Sequence, residues 1–135
     1  MQLDPTAFVA DPELIATLEK KATPVDCASE RVLFMQDDQP LGLYILRNGG
    51  ARLTMDSAEG KPIVSVKASE GSLLGLPGVL ANQPYTLTAM AEAGAVIGFI
   101  PRDEFIALMQ SEPMVALKIL AVLAAEVRSA RRAIG

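Results

Sequence analysis

The spacing of apolar residues changes twice along the chain. After Asp11-Pro12, a capping residue followed by proline, Leu14, Ile15 and Leu18 recur at helical spacing. Short apolar runs between turn residues follow as far as Pro101, and helical spacing then returns. We therefore predict a single domain over 1–135 with four segments: a helix over 11–22, a β-rich region over 24–100, a short helix over 101–111 and a long helix over 112–133.

Turn residues divide the middle of the chain into about six short strands. Asn48-Gly49-Gly50 is a strong tight-turn signal, and the strand after it, over 51–56, alternates apolar and polar side chains. Short strands with frequent turns are typical of a barrel or sandwich, so the predicted fold class is mainly β with flanking helices. The other strands are expected over 31–36, 43–48, 62–68, 85–92 and 95–100.

The predicted last helix is apolar on more than one side. Eleven of the twelve residues from Met114 to Ala125 are apolar, and Lys118 is the exception. One apolar stripe is enough to seat a helix on a core, so this helix needs a second cover. A second copy of the chain would supply it with two-fold symmetry, which predicts a homodimer, although one chain covering both faces is the alternative. Residues at 3-4-3 spacing suit such a seam: Leu117, Leu120, Ala124 and Val127.

Composition removes several classes of function. The chain has no histidine, the commonest general base and metal ligand, and its single cysteine, Cys27, excludes internal disulfides and four-thiolate metal sites. It has no tryptophan, 4% aromatic residues and a net charge of −4, which argues against nucleic-acid binding. Arginines near the C-terminus suit the helix dipole instead. We predict no catalytic residues, no metal and no direct contact with nucleic acid.

Neither a secretory signal nor a membrane span is visible in the sequence. The N-terminus lacks a basic start followed by an apolar stretch, and the apolar segment Met114–Ala125 is too short to cross a bilayer. The sequence therefore predicts a cytoplasmic protein that makes no membrane contact.

Two segments carry a resemblance to a known family. Leu43–Leu53 contains an Ile-Leu-x-x-Gly hairpin, and Gly71–Gly78 contains a Gly-x-x-x-Gly loop. With the order of elements, and with Phe105 and Pro113 at similar spacing, the chain resembles the cyclic-nucleotide-binding domain of the bacterial Crp/Fnr transcription-regulator family. The resemblance covers nearly the whole chain. It implies a cyclic-nucleotide-binding-like β-roll, which is a double-stranded β-helix or jelly roll, closed by a long C-terminal helix.

The resemblance also implies where a ligand would bind. The family's phosphate-binding cassette combines a glycine loop with a Glu that accepts the ribose hydroxyl and an Arg that neutralises the phosphate. This sequence has Leu76 and Tyr85 at those two positions, and Pro77 removes one backbone N–H. The candidate ligand pocket is thus a degenerate cassette with eight residues: Leu74, Gly75, Leu76, Pro77, Gly78, Tyr85, Thr86 and Leu87.

Loss of the cassette's Glu and Arg predicts weak binding of cyclic AMP or cyclic GMP. Each charge-assisted hydrogen bond contributes about 1.5–3 kcal/mol, so the two losses weaken binding by roughly two to four orders of magnitude. Arg47, Arg52 and Lys67 on the strands are alternative sources of positive charge. The apolar pocket suits a ligand less polar than a cyclic nucleotide, or its side chains simply fill unused space.

We therefore expect a non-catalytic sensor domain that binds a small molecule in the β-roll and relays the signal through a dimer helix. The alternative is a ligand-free dimerisation or protein-interaction module on the same fold. A cupin-like enzyme would require histidine ligands, which the chain lacks. The family usually continues into a helix-turn-helix DNA-binding domain, whereas this sequence ends at Gly135. Either a sensor half of a regulator or a free-standing domain fits.

Overall fold

Eight strands in two antiparallel sheets form the middle of the chain in the computed structural model, which describes residues 3–134. The strands are β1 (Thr23–Val25), β2 (Arg31–Phe34), β3 (Gly42–Asn48), β4 (Ala51–Asp56), β5 (Pro62–Ala68), β6 (Leu73–Leu74), β7 (Thr88–Ala91) and β8 (Val96–Pro101). One sheet has the order β1-β8-β3-β6 and the other β2-β7-β4-β5. This arrangement confirms the predicted fold class, a mainly β roll with flanking helices. The hairpin expected over Leu43–Leu53 does not form, because β3 and β4 lie in different sheets and the chain passes from one sheet to the other at Gly49 and Gly50.

The helices lie before, within and after the roll. They are a short 3₁₀ helix (Pro5–Phe8), α1 (Pro12–Glu19), α2 (Leu76–Ala81), α3 (Arg102–Ser111) and α4 (Pro113–Ile134). The segments predicted over 101–111 and 112–133 thus differ from α3 and α4 by one residue at their ends, which is the usual spread in assigning helix termini. The roll extends one residue beyond the predicted 24–100 at each end.

Helix α1 begins as the sequence indicates but ends sooner. The Asp11 carboxylate accepts a hydrogen bond of 2.7 Å from the Leu14 N–H, which caps the helix, and Pro12 occupies its first turn. The predicted end at residue 22 is wrong. The backbone must become extended at Thr23, where β1 pairs with β8, so the helix stops at Glu19.

The predicted strands also need correction in three places. β1 and β6 were not predicted, because strands of three and two residues carry too little alternation to read. The strand predicted over 85–92 begins at Thr88. The backbone of Tyr85 instead pairs with a turn: its N–H donates to the Asp38 carbonyl at 2.9 Å, and its carbonyl accepts from the Asp37 N–H at 2.8 Å.

The core fills the roll and continues under the helices. The largest fully buried side chains come from α1, β3, β4, β6, α2, β8, α3 and α4: Leu14, Leu18, Leu43, Ile45, Leu46, Leu53, Leu73, Leu74, Leu76, Ile100, Phe105 and Ile119. The inner face of α4 therefore belongs to the same core as the strands.

Helix α4 is also fixed to the N-terminal segment. The Asp4 N–H donates to the Ser129 hydroxyl at 2.8 Å, and the Lys118 ammonium lies 3.0 Å from Glu13 and 3.6 Å from Asp11. Its hydrogen bond with Glu13 raises the pKa of Lys118, so the ammonium group stays charged near neutral pH. These contacts fix α4 to the N-terminal segment at two points along its length.

Among residues 3–134, no single helix is long and apolar enough to cross a membrane. α3 and α4 satisfy length and composition only as a pair, and they are bent by 118° at the break between them.

Ile119→Ala should lower the free energy of unfolding by about 2–5 kcal/mol, because the side chain is completely buried between α4 and the roll. Urea denaturation followed by circular dichroism measures the change. Val96→Ala is the matched control, since that valine is 53% exposed and its loss should cost about 0.5 kcal/mol or less. Equal effects of the two substitutions would contradict the placement of α4 on the core.

Candidate functional site

The glycine loop lies beside a small cavity in the roll. Of the eight candidate pocket residues, all except Leu76 line a cavity of about 40 Å³. The remaining walls come from Phe8, Phe34, Leu53 and Glu126, which the sequence did not single out. This volume is close to the roughly 30 Å³ that one water molecule occupies in the liquid. The cavity is therefore far too small for a nucleotide.

The ring of Tyr85 lies directly on the glycine loop. It stacks on Phe34 with ring centroids 3.9 Å apart and planes inclined by 20°. Its hydroxyl donates to the Gly42 carbonyl at 2.6 Å, and the hydroxyl oxygen accepts from the Gly42 N–H at 3.2 Å. Burial raises the pKa of Tyr85, so the phenol remains a neutral donor near neutral pH. The ring is thus held on both its face and its edge.

Gly75 permits this close contact. Its φ is +90°, a left-handed conformation, and a Cβ atom there would lie 2.6 Å from Cε1 of Tyr85. An anion approaching Gly75 from this side would have to displace the tyrosine ring. The glycine that the resemblance assigns to phosphate binding therefore makes room for an aromatic side chain in this chain.

Leu76 does not join the cavity. It is the first residue of α2, and its side chain is completely buried in the core. Pro77 follows it and has no N–H to offer, so α2 begins with few free donors. The Arg102 side chain donates from Nε to the Val79 carbonyl at 2.7 Å and fixes α2 against the start of α3.

The three basic strand residues are engaged elsewhere. Arg47 forms an ion pair with Glu19 at 2.6 Å, the Arg52 guanidinium donates to Ser65 at 3.0 Å, and Lys67 lies 3.6 Å from Glu92. Within the part of the chain that the structure describes, no lysine or arginine lines the cavity. The lost cassette arginine has no substitute there.

Glu126 is the feature that sequence reasoning missed. Its side chain points from α4 into the cavity, the residue is 9% exposed, and Oε1 has no hydrogen-bond partner among the described residues. Burial raises the pKa of this carboxyl from its ordinary 4.5 to about 8. One signal could have revealed it: positions 115, 119, 122, 126 and 129 share a helix face, and the first three are Val, Ile and Val.

The predicted dimer residues lie outside the buried face of α4. Leu117 is 60% exposed, Leu120 51% and Val127 47%, and Ala124 is also exposed. One side of the helix therefore closes the roll while the other presents an apolar stripe. The stripe is a feature of the described fold; its use as a dimer interface stays a prediction.

Comparison with known proteins places this geometry in a family. The model of the cyclic nucleotide-binding domain matches residues 24–112, which include the roll and α3. A lysophospholipase of Neurospora crassa is 29% identical over 118 residues, covering 87% of this chain. The chain spans only 8% of that enzyme's length. The family match confirms the resemblance to the cyclic-nucleotide-binding domain.

Solved structures share the same fold. The catabolite activator protein of Thermus thermophilus superposes with a TM-score of 0.79 at 22% identity, covering 97% of this chain and 62% of its own. A transcriptional regulator of Thermotoga maritima gives a TM-score of 0.76 at 16% identity, covering 89% of this chain and 94% of its own. At these identities the likeness concerns the fold.

Glu126→Gln should stabilise the protein increasingly as the pH rises. The pKa of Glu126 is higher in the folded chain than in the unfolded one, so wild-type stability falls between about pH 4.5 and pH 8. The slope is at most about 1.4 kcal/mol per pH unit. The variant lacks this loss, and its melting temperature should exceed the wild-type value by more at pH 8.5 than at pH 5.

Glu30→Gln removes the same charge from an exposed site and is the matched control. Its difference in melting temperature from wild type should stay nearly constant over this pH range. A constant difference for Glu126→Gln as well would show that the carboxyl is solvated.

Proposed function

Because the chain belongs to the cyclic nucleotide-binding domain family, we propose that it is a non-catalytic sensor domain of the Crp/Fnr type whose β-roll ligand acts through α4. One observation carries this proposal. Glu126 of α4 lines the same cavity as Gly75 and Tyr85 of the roll, so an occupant of the cavity touches the helix directly. A ligand that favours one position of α4 would shift the helix between two states.

The ligand in this proposal is not a tightly bound cyclic nucleotide. The cassette positions hold Leu76 and Tyr85, the Tyr85 ring covers Gly75, and the cavity of about 40 Å³ contains no cationic side chain among the residues described. A cyclic phosphate would enter without a counter-charge and would have to break the stack on Phe34. Both requirements oppose binding.

The output of the proposed sensor is a dimer through α4. The exposed stripe contains the 3-4-3 set Leu117, Leu120, Ala124 and Val127, which suits a two-helix seam. A paired α4 would bury this stripe while its inner face contacts the cavity. The predicted cytoplasmic location and the homodimer belong to this proposal.

A second candidate function is a ligand-free dimerisation or protein-interaction module. The stack of Tyr85 on Phe34 favours it, because these rings fill space that a ligand would use. The two candidates share the dimer and differ in whether any small molecule stabilises the fold.

The similarity to the lysophospholipase does not support an enzymatic activity for this chain. The match spans 8% of the enzyme's length, and the matched region overlaps the family domain. The proposed role is therefore regulatory and not catalytic.

Wild-type protein should bind cyclic AMP and cyclic GMP with dissociation constants weaker than about 100 μM, since both charged contacts of the cassette are missing. Isothermal titration calorimetry measures this. Tyr85→Phe is the matched variant, because it keeps the ring over Gly75 and removes only the hydroxyl. It should bind no better than wild type. Submicromolar binding of either nucleotide to the wild type would contradict the proposed ligand class.

Replacing Leu117 and Leu120 together by glutamate should convert the protein from dimer to monomer, because like charges would face each other across the seam. Sedimentation velocity at about 20 μM protein reads the mass directly. Gln110→Glu adds a charge at an exposed position on α3 and should leave the dimer intact. A monomeric wild type at this concentration would rule out α4 pairing.

A further inference from the structure

Two cavities meet at Glu126. The inner one is the cavity of about 40 Å³ beside Gly75, and an outer one of about 180 Å³ opens between the N-terminal segment, β4, β5 and α4. Both are lined by five common residues: Phe8, Pro77, Thr86, Leu87 and Glu126. We call the two together the Glu126 cleft. The outer part adds apolar walls: Leu3, Met55, Val64, Val127 and Ala130.

Glu126 carries the one carboxyl group that lines either part of the cleft within residues 3–134, and no lysine or arginine of these residues lines it. Its Oε1 atom is buried and accepts no hydrogen bond from the described chain. Buried acceptors are nearly always hydrogen-bonded in native proteins, so an unpaired one indicates a donor from outside the fold. Two other polar side chains among the described residues line the cleft. The Tyr85 hydroxyl is already hydrogen-bonded to Gly42, and Thr86 has a single hydroxyl.

The charged groups nearest in sequence on α4 do not provide that donor. Arg128 and Arg132 line a separate surface cleft with Asp4, outside the walls of the Glu126 cleft. Tyr85 is the other titratable group in the inner cavity, and burial keeps it neutral by raising its pKa. Among the residues that the structure describes, the carboxyl therefore has no counter-ion on any wall of the cleft.

We propose that the Glu126 cleft binds a small molecule with one cationic nitrogen group and an apolar body about the size of a single ring. The cation pairs with the Glu126 carboxylate, and the ring occupies the outer cavity. This inference rests on the proposed sensor function, because it names the class of ligand that the sensor takes.

Charge and size select this ligand class. An anion would meet Glu126 and no cation, whereas an amidinium or ammonium ion gains a charge-assisted hydrogen bond. Phe8 and Tyr85 also line the inner cavity, and an aromatic ring close to a cation can stabilise it. A dry cavity of about 150 Å³ accommodates benzene, so the outer cavity of about 180 Å³ fits one six-membered ring.

Three probes of nearly equal shape test the proposal on the full chain: benzamidine, a cation; benzamide, which is neutral; and benzoate, an anion. Titration at pH 8.5, followed by calorimetry and by ¹⁵N chemical shifts, should show benzamidine binding at least tenfold tighter than benzamide and no binding of benzoate. Benzamidine affinity should fall as the pH drops toward 6, because the buried carboxyl then takes up a proton.

Glu126→Gln should weaken benzamidine at least tenfold and leave benzamide nearly unchanged, while the exposed Glu30→Gln should retain wild-type affinity. The comparison among probes on wild-type protein tests the charge preference even if the variant folds poorly. Equal binding of benzamidine and benzamide, undiminished binding to Glu126→Gln, or no benzamidine shift at about 10 mM would each overturn the proposal.

The same titrations separate this inference from the sensor function. Benzamidine that binds through Glu126 without changing the sedimentation of the dimer or the α4 amide shifts would uphold the cleft and refute the sensor. A neutral probe that binds and perturbs α4 equally in Glu126→Gln would uphold the sensor and refute the role of the carboxyl.

Discussion

The packing of Tyr85 joins the two sheets of the roll. Its hydroxyl bonds to Gly42 of β3 in one sheet, its face stacks on Phe34 of β2 in the other, and its edge contacts Gly75 after β6. Each contact excludes an alternative use of the same space, because the ring fills the approach to the glycine loop. The shape of the cavity and the exclusion of an anion both depend on this one side chain.

Helix α4 completes the roll with one face and leaves the other face uncovered. Val115, Ile119 and Val122 seat it on the core by ordinary apolar burial. Glu126 continues that face with a carboxyl, which costs stability when it is ionised, and Ser129 continues it with a hydroxyl bonded to Asp4. The inner face of α4 is therefore held by apolar contacts toward its start and by a polar contact toward its end.

The sequence was sufficient for features that depend on neighbouring residues. Asn48-Gly49-Gly50 and the alternation after it predicted the turn that ends β3 and the strand β4, and Asp11-Pro12 predicted the start of α1. Features that depend on distant partners were missed. β1 forms because it pairs with β8, some seventy residues away. Tyr85 lies outside β7 because its backbone hydrogen-bonds to the turn at Asp38. In the pocket, the loop residues were predicted from the resemblance. Glu126 was not, because its position in the pocket depends on how α4 packs on the roll.

The close contact at Gly75 also bears on how a family motif is interpreted. Any Cβ at this position would collide with the Tyr85 ring, so packing alone requires a glycine there, with or without a phosphate. A glycine loop is therefore evidence about the fold, and evidence about the ligand has to come from the side chains that face the loop.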